Sequence, residues 1–180
     1  MSDININREV EVITIPYGQK KILYPGTIVS IRQSKGGSFT LYVEKTLVFL
    51  QSKNADAIGK KSEELPSDIF DIKPQQEIDE LLIWKQMKTI YDPEISINIV
   101  DLGLIYDVYT ERLESSNYYV GVQMTLTSPG CGMGTVLVSE VEEKVKMFKN
   151  IDKVDVALVF HPPWNQSMMS EEARLHFGMI

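Results

Sequence analysis

The sequence predicts an α+β fold, in which a small all-β N-terminal unit precedes a small open mixed sheet with packed helices in the order α-β-β-α-β-α. Three observations support this fold class. Residues 8–50 contain short β-branched and aromatic runs separated by glycine and proline turns. Residues 52–75 mix charged residues with serine and proline, which is typical of a linker. After residue 75, apolar residues recur first at helical and then at strand spacing.

These changes in character divide the chain into three expected parts. They are a β-rich N-terminal unit at residues 1–52, a charged linker at 53–74 and an α/β domain at 75–180. A β-unit of only about 40 residues is marginal on its own, so we expect it to dock on a neighbour.

The N-terminal unit is expected to contain four strands. Gly36-Gly37 supplies the positive φ angles that a hairpin loop requires. The four strand-like runs are residues 8–15, 27–32, 39–43 and 47–50.

The second domain is expected to begin with a helix that stops at Asp92-Pro93, since proline disfavours helical geometry in the residue before it. Two strands, at 104–112 and 118–127, follow the helix. The predicted apolar stripe of this helix consists of Ile78, Leu81, Trp84, Met87 and Tyr91.

A second helix is expected after Cys131, with the Glu140–Lys144 pair on its solvent side. A strand with one buried face follows, and Ser170 caps a short last helix. The predicted buried residues are Val138, Val141, Val145 and Phe148 on the helix, and Val154, Val156, Leu158 and Phe160 on the strand.

Composition excludes several functional classes. The 180 residues carry a net charge of −7, which argues against a general nucleic-acid binder. No apolar run approaches the roughly 20 residues of a membrane span, and the first residues do not resemble a secretory signal. A single cysteine cannot form an internal disulfide, so we expect a cytoplasmic protein.

That cysteine, Cys131, is the leading candidate for a functional residue. It lies at a predicted strand-to-helix junction, where unpaired backbone N–H groups would stabilise a thiolate and lower the thiol pKa. Gly130, Gly132 and Gly134 surround it and leave room for a ligand or partner. The alternative is a small buried hydrophobic side chain.

Three acidic residues and one histidine are weaker candidates. Asp92, Glu94 and Asp101 could be oxygen ligands or proton carriers near Cys131, although their spacing favours turn and helix-stop roles. His161 could pair with Cys131 as a second ligand or as a base, but a histidine at the end of a strand is more often simply exposed.

One cysteine limits what metal chemistry a single chain can perform. A structural zinc site needs four ligands, and an iron–sulfur cluster usually needs four cysteine thiolates. A cluster would therefore be shared between two chains, completed by other ligands, or held in passing. The presence of only one thiolate ligand per chain therefore favours a carrier or assembly factor over an electron-transfer protein.

Several segments resemble the metal–sulfur cluster biosynthesis (PaaD-like) family, and within it the SufT branch. The resemblance covers residues 75–180 and extends to the N-terminal unit. The segments that carry it are Asp92-Pro93-Glu94-Ile95, Asn98 to Tyr106, Thr125-x-Thr127-x-Pro129-x-Cys131, residues 130–134, residues 162–170, Gly36 to Val43 and Ala55 to Gly59.

The resemblance implies an accessory role, rather than an enzymatic one, in forming iron–sulfur clusters or delivering them to recipient apo-proteins. By the same resemblance, Cys131 would ligate iron or a cluster transiently. Thr127 and Ser128 line its loop, and Asp92, Glu94 and Asp101 match the acidic motif. The chain departs from the expected pattern at His161, where an acidic residue would precede Pro162.

The implied partners are iron–sulfur assembly proteins and client apo-proteins, with a homodimer as one way to complete the cluster. The Trp164 and Met168-Met169 region is a candidate docking surface. Two alternatives stay open. One is an adaptor that binds these proteins without metal, and the other is a thiol enzyme that depends on Cys131.

Overall fold

A computed structural model of the chain describes residues 3–61 and 77–179. It contains both antiparallel and parallel strand pairs together with helices, so the α+β class is confirmed. The described residues form two compact units. The first draws on residues 3–61, Tyr91–Ser96 and Cys131–Val136, and the second draws on residues 77–90, Ile97–Gly130 and residues 137–179.

The first unit is an antiparallel sheet in the order β1-β4-β5-β6-β2-β3. The four predicted strands correspond to β2, β4, β5 and β6. The sequence pattern does not reveal β1, which has only three residues, or β3, which begins with two lysines. The strands are β1 (Asp3–Asn5), β2 (Val10–Ile15), β3 (Lys20–Leu23), β4 (Ile28–Lys35), β5 (Ser38–Val43) and β6 (Thr46–Leu50).

This sheet contributes to two apolar clusters within its unit. The larger includes residues of a 3-10 helix at Ser52–Ile58, which ends at Gly59 with a φ of 68°. The smaller joins Ile13, Ile15 and Phe49 to the segment after Cys131. The alternation of side chains along β2 explains how one strand serves both clusters, since Val10 and Val12 belong to the larger one.

The predicted linker is only partly described. Its first residues form the 3-10 helix, where Asp56 pairs with Arg8 at 2.6 Å. Residues 62–74 of the predicted linker lie outside the described residues. The boundaries at 52 and 74 therefore stay predictions.

The second unit contains a three-stranded sheet in the order β7-β8-β9, in which β7 and β8 are antiparallel while β8 and β9 are parallel. The long connection between β8 and β9 contains α2, as a parallel pair requires. The elements are α1 (Glu80–Met87), β7 (Ile105–Arg112), β8 (Tyr118–Met124), α2 (Gly134–Val145), β9 (Ile151–Leu158) and α3 (Glu171–His176), with a 3-10 turn at Gln166–Met168.

The first helix is shorter than predicted, and its buried face is different. Asp79 caps it by accepting a hydrogen bond from the backbone N–H of Leu81 at 2.9 Å. Ile78 and Met87 are buried, as predicted, but Leu81 is 66% exposed and Trp84 is only half-buried. Ile83 and Gln86 are buried in their place, so the prediction is wrong at these positions.

The second helix buries more of its surface than predicted. Val141, Val145 and Phe148 are fully buried, as predicted, but Glu140 and Lys144 are also buried, so their assignment to the solvent side is wrong. Since i,i+4 positions share one side of a helix, the two residues are covered together.

The ends of the second unit combine one confirmed and one wrong prediction. Ser170 caps α3 by accepting a hydrogen bond from the backbone N–H of Ala173 at 3.2 Å, as predicted. Leu158 and Phe160 are each 37% exposed and not buried. Leu158 ends β9, which among the described residues has a paired neighbour on one side only.

None of the helices in the described ranges is long and apolar enough to cross a membrane.

Candidate functional site

The Cys131 segment connects β8 to α2, and its apolar residues anchor it in the first unit. Met133 is fully buried and Val136 is 6% exposed. Both pack in the smaller apolar cluster of the N-terminal sheet, and Cys131 packs against that cluster. The thiol itself is half-buried. The sheet therefore fixes the segment that carries the only cysteine of the chain.

Two glycines allow the turn between β2 and β3 to lie directly on this segment. A Cβ atom at Gly18 would collide with the carbonyl group of Gly132. In the reverse direction, a Cβ atom at Gly132 would lie 2.6 Å from the carbonyl carbon of Tyr17. The room expected at Gly132 is therefore occupied by the turn. A Cβ atom at Gly130 would meet nothing within 4 Å, so room remains on that side.

The surroundings of Cys131 disfavour the thiolate. Burial raises the pKa of the Cys131 thiol above its ordinary value, and the charges of Glu94 and Asp92 raise it further. A hydrogen bond involving the backbone of Met133 acts in the opposite direction. The expectation of a lowered pKa at this helix start is therefore wrong, because burial and two carboxylates outweigh the backbone contribution.

Asp92 is a buried turn residue. It is 5% exposed, and its Oδ1 accepts hydrogen bonds from the backbone N–H groups of Glu94 at 2.8 Å and Ile95 at 2.9 Å. Burial raises the pKa of Asp92 despite these two bonds. The pKa of Glu94 is raised as well, by partial burial of its carboxyl group and by the charge of Asp92, although the residue as a whole is exposed. The turn role suggested by the spacing is present, and both acids lie near Cys131.

The hairpin of β4 and β5 holds the segment Tyr91–Ser96 in the first unit. Lys35 Nζ donates to the carbonyl oxygen of Ser96 at 2.9 Å and lies 4.9 Å from the centre of the Tyr91 ring. The Ser96 hydroxyl also donates to Gln33 Oε1. The N-terminal sheet thus orders both segments that supply the candidate site, Tyr91–Ser96 and Cys131–Val136.

Asp101 has a different environment. Its side chain pairs with Lys88 at 3.0 Å and accepts from Asn98 Nδ2 at 2.6 Å, while its own N–H donates to Asn98 Oδ1. Burial opposes ionisation, but the bonds from Asn98, Lys88 and Ser170 prevail and lower the pKa of Asp101. Its partners identify a structural role for Asp101 in the second unit.

Two of the segments that carry the family resemblance contact each other in the second unit. Trp164 Nε1 donates to the carbonyl oxygen of Leu102 at 2.9 Å. Gly103 has a φ of 72°, and a Cβ atom there would collide with the carbonyl oxygen of Met168. Met169 is only 6% exposed, so its expected place in an exposed docking surface is wrong. Neither motif alone signalled this pairing.

The remaining predicted residues are distributed between the two units. Ser128 accepts a long 3.4 Å hydrogen bond from the backbone N–H of Gly130, and both residues are exposed. Thr127 is half-buried, and Gly134 begins α2. His161 is exposed in the second unit.

The same strand-end motif contains Thr125, to which the sequence alone assigns no role. Thr125 is 1% exposed, and its hydroxyl has no hydrogen-bond partner among the described residues. Its place two residues before Thr127 was the only available signal.

No group of three histidine, cysteine, aspartate or glutamate side chains within residues 3–61 and 77–179 could hold a metal ion. Cys131, Asp92 and Glu94 share an electrostatic environment without forming a complete ligand set. Any cluster held at Cys131 would need ligands from elsewhere.

Comparison with known proteins identifies the family. A model described as iron–sulfur cluster assembly protein matches residues 82–158. A Fe-S protein maturation auxiliary factor of Porphyromonas gingivalis is 42% identical over 98 residues, covering 54% of this chain and 90% of that protein. The chain belongs to the iron–sulfur cluster assembly protein family. The resemblance inferred from the sequence motifs is thereby confirmed.

Other known proteins are also similar to this chain. The Fe-S protein maturation auxiliary factor SufT of Staphylococcus aureus is 37% identical, covering 50% of this chain and 98% of that protein. The crystal structure of a domain of unknown function, DUF59, from Bacillus anthracis superposes with a TM-score of 0.50 at 32% identity, covering 56% of this chain and 92% of that one. The family match begins at residue 82, after the N-terminal sheet.

Proposed function

We propose that this protein is an accessory factor that helps iron–sulfur clusters form on, or reach, recipient apo-proteins. Cys131 holds iron or the cluster in passing, as cargo. One observation carries the proposal: the single thiol of the chain is half-buried at the start of α2 beside two carboxylates, in a member of the iron–sulfur cluster assembly family. The factor acts by binding and release and not as an enzyme.

The charges around Cys131 suit a cationic cargo. Glu94 and Asp92 disfavour an isolated thiolate, because three negative charges would then lie close together. An iron ion reverses this preference, since its positive charge is attracted by the carboxylates and displaces the thiol proton. The site would therefore stay protonated when empty and become a thiolate when loaded.

The backbone around the thiol allows a partner to complete the coordination. Gly130 leaves open space on one side, while the turn at Pro16–Gly18 occupies the side of Gly132. A cluster usually needs four thiolates and this chain has one, so the others come from a second copy or from a client.

Anaerobic cluster reconstitution tests the proposal. Wild type and Cys131→Ser would be compared by visible absorption, iron and sulfide content and mass in solution. We expect a cluster in wild type only, with a mass that corresponds to a dimer. Serine is nearly the same size and the residue is only half-buried, so circular dichroism should confirm that the variant folds.

Glu94→Gln provides a second variant for the same assay. It removes one carboxylate charge but retains the cysteine, so we expect a lower iron content without complete loss. A Cys131→Ser protein that holds as much iron and sulfide as wild type would contradict the ligand role.

A metal-free adaptor is the second candidate function. This candidate stays open because the chain supplies one thiol, whereas a cluster usually needs four. The adaptor hypothesis predicts that Cys131→Ser binds assembly proteins and clients as tightly as wild type and still supports client maturation.

A further inference from the structure

A groove in the second unit contains the side chain of His161 but belongs to no site described above. Its volume is about 550 Å³, within the roughly 300–1,000 Å³ typical of ligand sites. It is lined by residues of β7 and β8, of the loop before β7 and of the segment after β9. They are Gly103, Ile105, Tyr106, Asp107, Gln123, His161, Pro162 and Met168.

An irregularity in β7 builds one wall of this groove. Ile105 pairs with Met124 and Asp107 pairs with Gln123, so Tyr106 is an extra residue in β7. Such a bulge redirects the side chains beside it. Tyr106 uses this freedom to donate a hydrogen bond to the carbonyl oxygen of Pro162 at 2.8 Å. The bond ties β7 to the segment that follows β9.

Three polar side chains in the groove have unused hydrogen-bonding capacity. Within residues 3–61 and 77–179, Asp107, Gln123 and His161 make no side-chain hydrogen bond or ion pair. Asp107 offers only acceptor oxygens, and Gln123 and His161 can each accept as well. Asp107 and Gln123 are direct neighbours across β7 and β8, so their oxygens can reach the same ligand.

The rest of the lining is apolar. Ile105, Pro162 and the thioether of Met168 provide a surface that suits an alkyl chain, and methionine adapts to different shapes. Lysine and arginine bury an alkyl stem while their charged group stays near solvent and acceptors. A groove with one carboxylate, at Asp107, and an apolar floor matches that combination.

We propose that this groove binds a lysine or arginine side chain on an exposed segment of a partner protein. The charge of the chain supports this occupant, because a net charge of −7 attracts basic surfaces. The volume of the groove exceeds that of one side chain, so it also accommodates neighbouring residues of the segment. The interaction does not use Cys131 and is independent of the function proposed above.

Titration of the full ¹⁵N-labelled chain with the peptide acetyl-Ala-Arg-Ala-amide tests this proposal by NMR. The neutral probe is the same peptide with citrulline in place of arginine. We expect saturable shifts at the groove residues with the arginine peptide and much weaker ones with the citrulline peptide. Asp107→Asn should weaken arginine-peptide binding about threefold to fivefold, as for a solvent-exposed ion pair.

Glu111→Gln is the matched control for charge. Glu111 lies on the same strand and the same face as Asp107, is exposed, and lies four residues further along. The Glu111→Gln variant should bind the arginine peptide as tightly as wild type does. Gln123→Ala should weaken binding without affecting the fold, since the side chain is exposed. Cys131→Ser should bind normally.

Three results would overturn the proposal. They are saturable shifts that lie outside the groove, equal affinity for the arginine and citrulline peptides, and equal losses in Asp107→Asn and Glu111→Gln. Matching circular dichroism spectra and thermal midpoints of the variants would exclude misfolding as the cause.

Discussion

Cys131 occupies a position where two physical effects compete. The start of a helix offers N–H donors that stabilise a thiolate, and the sequence alone suggests that this effect dominates. Burial and the charges of Glu94 and Asp92 favour the thiol instead, and they determine the direction in which the pKa of Cys131 shifts. These acids are distant in sequence, so local pattern could not reveal their effect.

Alkylation of Cys131 should therefore be slow at neutral pH and increase as the pH rises above the ordinary pKa of a thiol. Glu94→Gln removes one nearby charge from an exposed side chain, so it should lower the pKa of Cys131. We expect its alkylation rate at pH 7 to be about two to five times that of wild type, as for a partly exposed charge interaction. Iodoacetamide rates between pH 6 and 10 measure this directly.

The control for this experiment is Glu9→Gln. Glu9 is an exposed carboxylate of the same unit and does not contribute to the shift at Cys131. Its rate profile should match wild type. Equal profiles for Glu94→Gln and wild type would show that Glu94 does not act on the thiol.

Among the structural elements, the turn between β2 and β3 is the one that covers the Cys131 segment. Backbone lies against backbone at Gly18 and Gly132, which only glycine permits. The sequence identified the glycines beside Cys131 but explained them by ligand approach. The contact with residues more than a hundred positions earlier has no local signal, because turn-forming sequences do not specify what the turn packs against.

Gly18→Ala should separate this turn from the Cys131 segment. Alanine at a φ of 66° costs about 1–2 kcal/mol of folding free energy, and the collision of its Cβ with Gly132 adds to that cost. We expect a lower thermal midpoint and faster alkylation of Cys131 than in wild type, measured on the same preparation.

Gly26→Ala separates the effect of backbone strain from the effect of the collision. Gly26 has a φ of 89° with nothing within 4 Å of an added Cβ, so it carries the backbone strain without the collision. Its thermal midpoint should decrease while alkylation of Cys131 stays as in wild type. Equal alkylation rates in the two glycine variants would contradict a covering role for the turn.

The order of helices and strands could be predicted from the sequence, whereas the side of each element that is buried could be predicted only in part. The α-β-β-α-β-α pattern corresponds to α1-β7-β8-α2-β9-α3, because hydrophobic periodicity distinguishes helices from strands. Burial of Glu140 and Lys144, and exposure of Leu81 and Phe160, depend on which neighbours cover each element. Periodicity does not contain that information.

At the scale of the whole molecule, the chain returns twice to its first unit. Segments Tyr91–Ser96 and Cys131–Val136 belong with the N-terminal sheet, although they lie within the predicted α/β domain. A composition change along the sequence predicts a linear succession of domains and cannot report such a return. The candidate site therefore depends on residues from three separate parts of the chain.

Stability should depend on pH through Asp92. Because burial raises the pKa of Asp92 in the folded protein, its contribution to stability is greatest below the unfolded pKa and decreases as the pH rises through the folded pKa. Asp92→Asn retains an oxygen acceptor for the same two N–H groups. We expect a higher free energy of unfolding than wild type at pH 7, and no advantage below about pH 3.9.

Asp56→Asn should behave in the opposite way. A hydrogen bond from Arg8 lowers the pKa of Asp56, so this carboxylate contributes stability above its unfolded pKa that is lost as the pH falls. Urea unfolding at several pH values compares the two variants. A lower stability of Asp92→Asn at pH 7 would mean that the hydrogen bonds of the charged form outweigh its burial.

The same return of the chain affects the order in which the protein is synthesised. Strands β2 and β6 are synthesised early. Their residues Ile13, Ile15 and Phe49 cannot be covered until Met133 and Val136 have been synthesised. Residues 51–130 are made in between, which takes the ribosome about 4 to 16 s at roughly 5 to 20 residues per second. For those seconds the nascent sheet exposes apolar side chains that the finished protein covers, and aggregation competes with folding most strongly then.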